Sequence, residues 1–228
     1  MTTVTINRQD KGNSLAPQVL EEVEAMFTDL SRRQDVHDIV FTGGERYFWA
    51  RFDLTYIRTL KKVNNENYTA MFHRAHSSAM FCEQPVICAV GGPAIAGVFD
   101  LTMMCDIRFA SERARFGQRE IVLSLNSTID PLWRIIGLSN AMESALTGRI
   151  WDAREALRIG YISRVFPEGK LLEEVGVIAR EMATYDRGCH KETKQLTHLL
   201  RIPAWIRQCT SKNGSSAPTL GPMTIIGA

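Results

Sequence analysis

Residues 85–120, PVICAVGGPAIAGVFDLTMMCDIRFASERARFGQRE, limit what this chain can fold into more than any other stretch. The apolar run 86–90, bounded by turn residues, predicts a strand covered on both faces. Gly91, Gly92 and Gly97 mark a turn, and an apolar helix of about two turns carrying Asp100 follows. A second strand is expected over 106–110, with a polar connection leading to 116–120. Strand, glycine turn and helix start together make a pocket whose backbone N–H groups can face a ligand. Asp100 and Glu120 lie at the two ends of this apolar unit. An acid among Phe99, Leu101, Met103 and Met104 needs a reason, because burying a charge is costly. One reason is catalysis: neighbouring carboxyls separate in pKa, so one can donate a proton while the other accepts it. The other is structural, a buried Asp100 satisfied by local N–H groups.

With 228 residues, 45% of them apolar, the chain can bury a core of one globular domain. A net charge of +2 gives no case for nucleic acid or a charged membrane surface. No apolar run reaches the length of a membrane span, and MTTVTINRQ lacks the form of a signal peptide, so a cytoplasmic location is expected. The five cysteines show no CxxC spacing, and Cys88 and Cys105 sit in apolar runs, which predicts buried reduced thiols. No metal site is expected: His73 and His76 are close in sequence but have no acid or thiol beside them, and a solvated or capping role is the reading for that pair.

Val4 and Ile6 alternate with polar residues as a half-buried strand. Pro17 suits a first helical turn, and Val19, Leu20, Val23, Met26, Phe27 and Leu30 follow at helical spacing. Residues 38–43 read as the next buried strand, making strand–helix–strand and hence a right-handed crossover. Residues 55–83 are polar and helical, interrupted around Asn64, Asn65 and Asn67, with 71–81 apolar enough to pack. After a loop at 126–130, Pro131 starts a helix to Ile136. Ser139 is expected to cap the next helix, and Asp152 with Glu155 to form a capping box for the one after. A strand at 161–166 and a helix at 170–183 complete a core domain over 1–183. The segment 184–228 is expected to be helical, then irregular, and poorly ordered from about Ser211, where SKNGSSAPTLG has no period.

On these residues the chain resembles the crotonase (enoyl-CoA hydratase/isomerase) superfamily. The 85–120 stretch is similar to its core motif, NRQDKGNSL at 7–15 to its first strand-to-helix turn, and TGGERYFWARFDL at 42–54 to its first oxyanion-hole segment. Residues 137–174 are similar to its late helices. The resemblance implies an α/β spiral of strand–strand–helix repeats, two nearly perpendicular sheets flanked by helices, with a C-terminal helical region. It implies an acyl-CoA or carrier-bound acyl thioester as substrate, with no other cofactor. The oxyanion donors would be the N–H groups of Phe52 and Gly97, and the acid/base pair Asp100 and Glu120. Ala50, Asp53, Leu54 and Thr55 would line the substrate and CoA pocket, and Arg51 points to solvent or meets a CoA phosphate. It also implies a homo-oligomer, a trimer or dimer of trimers, which the unusual C-terminus puts in question.

Several positions depart from the family pattern. Phe52 stands where a small residue is usual, the glycine triplet is reduced to Ala96-Gly97-Val98, and LSLNSTIDPLW replaces a glycine-rich loop. An aspartate at position 100 is usual in the family's dienoyl-CoA isomerases, whose further aspartate is replaced here by Thr128, with Asp130 close by. Hydration and double-bond isomerisation are therefore both expected activities. Hydrolysis or decarboxylation of a β-dicarbonyl substrate, and an inactive acyl-CoA-binding scaffold, are the alternatives.

Overall fold

The computed structural model describes residues 1–7, 16–45, 48, 66–125 and 127–201. Five parallel strands form the main sheet in the order β1-β2-β3-β5-β8: β1 (Thr2–Thr5), β2 (Ile39–Thr42), β3 (Val86–Val90), β5 (Ile107–Ser111) and β8 (Arg164–Phe166). A smaller sheet is built from β4 (Pro93–Ile95), β6 (Arg115–Gly117) and β7 (Trp151–Asp152). Strand β6 runs parallel to β4 and antiparallel to β7. The chain spirals between them: β3 feeds β4 and then helix α3 (Gly97–Met104), and β5 feeds β6 and the helices beyond.

Helix α1 (Pro17–Arg32) begins on its proline and buries Val19, Leu20, Val23, Phe27 and Leu30 of the positions that its period had marked, with Met26 half-buried against the same core. It packs against α2 (Glu66–Met80). Every residue of β3 is buried. Val86, Cys88 and Val90 face the main core, while Ile87 and Ala89 face a second cluster with Val40, Phe109, Leu171, Val175 and Ala179. Successive strand residues point to opposite faces, so a strand lying between two cores must be apolar throughout.

Helices α4 (Leu132–Ile136), α5 (Leu138–Thr147), α6 (Ala153–Arg158), α7 (Leu171–Met182) and α8 (Arg187–Arg201) complete the described chain. Three local expectations are corrected. Helix α5 starts on Leu138 with Gly137 as its cap at φ +78°, so Ser139 lies inside it rather than capping it. At α6, Asp152 Oδ1 does accept from the Glu155 N–H at 2.8 Å. The Glu155 carboxylate makes no return bond, because the Arg149 and Arg158 guanidiniums hold it. Residues 161–163 are not strand: Tyr161 is buried, stacked on Phe99 at 4.7 Å between ring centres and packed beside Trp151 and Phe116.

Among the described cysteines, Cys82, Cys88 and Cys105 are buried and free, and Cys189 is exposed and free. No described helix is long and apolar enough to cross a membrane. Helix α7 ends at Met182, and the segment beyond 201, including Ser211, lies outside the described residues.

Candidate active site

Parallel strands point their carboxyl ends towards a common edge, where ligands of α/β proteins bind. The edge here is tightly strapped. The Thr42 hydroxyl donates to the Ala89 carbonyl at 2.8 Å and accepts from the Gly44 N–H at 3.0 Å, and Ser111 Oγ donates to the Gly91 carbonyl at 2.9 Å. A Cβ at Gly91 would lie 2.1 Å from the Gly44 carbonyl oxygen, so the two turns meet backbone to backbone.

From that edge β4 leads into Ala96, which has φ +59° and ψ −138°. This conformation suits glycine; for alanine it costs about 1–3 kcal/mol and persists only where neighbours enforce it. The neighbours are the Gly117 carbonyl, which accepts from the Ala96 N–H at 2.8 Å, and the Asp100 N–H, which donates to the Ala96 carbonyl at 3.1 Å. Gly97 is thereby the first residue of α3, and its N–H points out of the helix start without an intrahelical acceptor. His76 is not solvated, contrary to expectation. It is buried from α2, with Nδ1 2.6 Å from the Phe72 carbonyl oxygen and Nε2 3.1 Å from that of Gly97. Burial pulls its pKa down to about 4, so the ring is neutral at pH 7 and its single N–H can donate to only one of these carbonyls; as the Nε2–H tautomer it ties α2 to the start of α3.

All eight residues of α3 are buried, Asp100 among them. The Asp100 carboxyl accepts from Thr128 Oγ1 at 2.7 Å and from Gln118 Nε2 at 3.4 Å. Glu120 opens a single 3-10 turn, Glu120–Leu123, that follows β6. It is only 4% exposed, yet neither carboxyl oxygen has a hydrogen-bond partner among the described residues. The N–H groups of Arg119 and Glu120 draw its pKa down slightly without forming a well-aligned bond. Burial dominates and lifts it to about 7. Asp100 is raised to about 8, by burial first and by the charge of Glu120 second, against the pull of its Thr128 and Gln118 donors. Interacting acids titrate as a pair, so the first proton leaves near 7 and the second near 8, and both values belong to the pair. Near neutral pH the pair can therefore hold one proton and offer one base.

Of the residues expected from sequence, the fold brings Asp100 and Glu120 within electrostatic reach and puts Gly97 one helical turn before Asp100. Ala50, Arg51, Phe52, Asp53, Leu54 and Thr55 lie outside the described residues. The sequence reading missed Gln118 and gave Thr128 no role of its own. No period marks Gln118, because the chain leaves β6 through Arg119 at φ −113° and ψ 11° and is no longer extended there. Among the described residues, no group of three or more His, Cys, Asp and Glu side chains is placed to hold a metal ion.

The sequence model of the family described as enoyl-CoA hydratase/isomerase matches residues 1–212. A probable enoyl-CoA hydratase of Mycobacterium tuberculosis is 34% identical over 195 residues, covering 84% of this chain and 75% of the relative. A probable enoyl-CoA hydratase of Rhizobium meliloti is 36% identical over 185 residues, covering 80% of this chain and 71% of its own length. The solved enoyl-CoA hydratase of Bacillus anthracis superposes with a TM-score of 0.81 at 28% identity, covering 92% of this chain and 83% of that one.

Proposed function

The chain belongs to the enoyl-CoA hydratase/isomerase family of enzymes, and we propose that it moves protons at the acyl carbons of an acyl-CoA thioester through Asp100 and Glu120. The observation that carries this reading is the pair itself: two buried carboxyls lifted to the neutral range, one held by side-chain donors and one without a hydrogen-bond partner among the described residues. In the proposed scheme the thioester carbonyl accepts hydrogen bonds from the Gly97 and Phe52 N–H groups. As an enolate develops, donors of this kind are each worth about 3–4 kcal/mol. The ionised acid of the pair takes a proton from water or from carbon, and the protonated acid delivers one to the other end of the reacting system. Water held between the acids gives hydration; its exclusion gives double-bond isomerisation. Both belong to the reading, which needs no group beyond carboxyls and backbone N–H, coenzyme A arriving with the substrate. Ala50, Asp53, Leu54 and Thr55 are proposed to line its path.

The test is α-proton exchange of a short and a medium enoyl-CoA in heavy water, with wild type and Glu120→Gln. Exchange that the variant abolishes is expected. Exchange that persists would overturn the acid pair, and tight acyl-CoA binding without exchange in wild type would make the protein a binding scaffold. Self-association into a homo-oligomer is also proposed, supported by the exposed apolar row Leu138, Met142 and Leu146 on α5. Sedimentation of Leu146→Glu as a smaller species than wild type is the expected result; a monomeric wild type would refute it.

A further inference from the structure

Ala96 sits between two anchored elements. Its N–H donates to the Gly117 carbonyl at 2.8 Å, continuing the pairing of β4 with β6. Beyond it Gly97 opens α3, a helix buried at every position, and the Gly97 carbonyl oxygen lies 3.1 Å from His76 Nε2. The one unit left between these anchors is the 96–97 peptide, a rigid plane with the Ala96 carbonyl on one edge and the Gly97 N–H on the other. It can turn about the line joining its two α-carbons, through opposite changes in ψ of Ala96 and φ of Gly97, without displacing either neighbour. The Ala96 methyl, packed in the main core, stays where it is.

The backbone angles set the direction in which this unit is pulled. At φ +59° Ala96 already lies in the φ range of the left-handed well open to L-residues, and only its ψ of −138° falls outside. A half-turn of the 96–97 peptide brings ψ to about +42°, inside that well. A glycine at 96 would feel no such pull, because the observed angles are the mirror image of ordinary extended backbone. Gly97 has no side chain to oppose the compensating change in its φ. Against the pull stands one hydrogen bond, from the Asp100 N–H to the Ala96 carbonyl at 3.1 Å. Strain of this kind and one backbone hydrogen bond are of similar size, so the two orientations lie close in energy. In the observed orientation the Gly97 N–H points out of the helix start, where a thioester oxygen can meet it. In the turned one the N–H is withdrawn and the Ala96 carbonyl takes its place, presenting lone pairs to that oxygen.

We propose that Ala96 is a positioning residue that makes the 96–97 peptide a two-position element: the free protein samples the turned orientation, and a bound thioester carbonyl draws the peptide back to present the Gly97 N–H. This rests on the reading of that N–H as an oxyanion donor. Relative to glycine, alanine at 96 shifts the balance towards the turned orientation by roughly tenfold. Only the presenting orientation binds substrate, so apparent affinity falls in proportion to the fraction of chains that present the N–H.

Ala96–Gly97 is the only Ala–Gly bond in the chain. The full chain prepared with 13C in alanine carbonyls and 15N in glycine therefore gives one carbon-coupled amide signal, that of the peptide in question. In the free protein this amide is expected to show microsecond-to-millisecond relaxation dispersion, or two signals. Saturating butyryl-CoA, a thioester without a double bond to react, is expected to leave one dispersion-free signal. In Ala96→Gly the same scheme with glycine carbonyl 13C marks the 43–44 and 91–92 bonds, which wild type shares, and a third signal from 96–97. That third signal is expected to be single and free of dispersion without any ligand. One dispersion-free signal in free wild type, or equal dispersion in Ala96→Gly, overturns the two-position element. Dispersion that butyryl-CoA leaves unchanged sinks instead the reading of Gly97 as the donor, so the two failures are distinguishable. Proton exchange adds a kinetic readout: kcat/KM of Ala96→Gly is expected to exceed that of wild type by the factor that the turned fraction gives, through KM with kcat unchanged. A change in kcat alone would overturn the positioning role.

Discussion

Replacing both acids by their amides, Asp100→Asn with Glu120→Gln, is expected to abolish the chemistry and to make the protein more stable above neutral pH. Glu120 is buried without a hydrogen-bond partner among the described residues, and burial lifts its pKa from 4.5 to about 7. An acid whose folded pKa is raised contributes stability that is fully present below its unfolded pKa. That contribution is lost as pH rises through the folded value. The window here opens near pH 4.5 and closes near 7. Counting only this smaller of the two shifts, the native state carries about 3 kcal/mol of penalty once the pair is ionised. The amides never ionise, and their own cost of burial is the same at every pH. The stability gap between variant and wild type should therefore widen by about 3 kcal/mol from pH 5 to pH 8. For a chain of this size that is a Tm rise of about 6–12 °C at pH 8, with little of it at pH 5. Urea denaturation from pH 5 to 8 measures it directly. Parallel stability–pH curves for the two proteins would mean that the carboxyls are solvated or paired in the native state, and the argument would fail. A variant that gains stability while losing activity is the expected signature of an acid kept buried for function.

Two further outcomes test the scaffold around the site. Gly91→Ala should cost about 3 kcal/mol, because the new methyl would meet the Gly44 carbonyl oxygen at 2.1 Å and only backbone could give way. Gly169→Ala, at φ +74° with nothing within 4 Å, should cost only the left-handed conformation, about 1 kcal/mol. Equal costs in urea denaturation would refute the close approach. Asp152→Ala should lose the cap of α6 and about 1 kcal/mol, whereas Asp152→Asn should lose much less; a neutral alanine variant would show that the 2.8 Å bond contributes nothing.

The sequence by itself determined the elements whose periodicity is set by burial. The uninterrupted apolar run of β3, bounded by turn residues, fits a strand between two cores, and the spacing from Val19 to Leu30 fits the buried stripe of α1. It also marked Asp100, because a charge in apolar surroundings stands out wherever the chain goes, while Glu120 was marked by the resemblance to the family. What it left undecided were features too short to carry a period or dependent on a distant partner. Strands β4 and β7 have three and two residues, less than any alternation can announce. Ser139 looked like a cap, but the chain turns on Gly137 instead. His76 reads as a surface histidine until α2 lies across the start of α3 and Gly97 meets its ring. The Thr128 hydroxyl is 28 residues from Asp100 in sequence and 2.7 Å away in space. Apolar pattern records how much of each residue must leave water, which is a local property of the chain. Which polar groups then face one another in the dry interior is fixed only when separate segments cross.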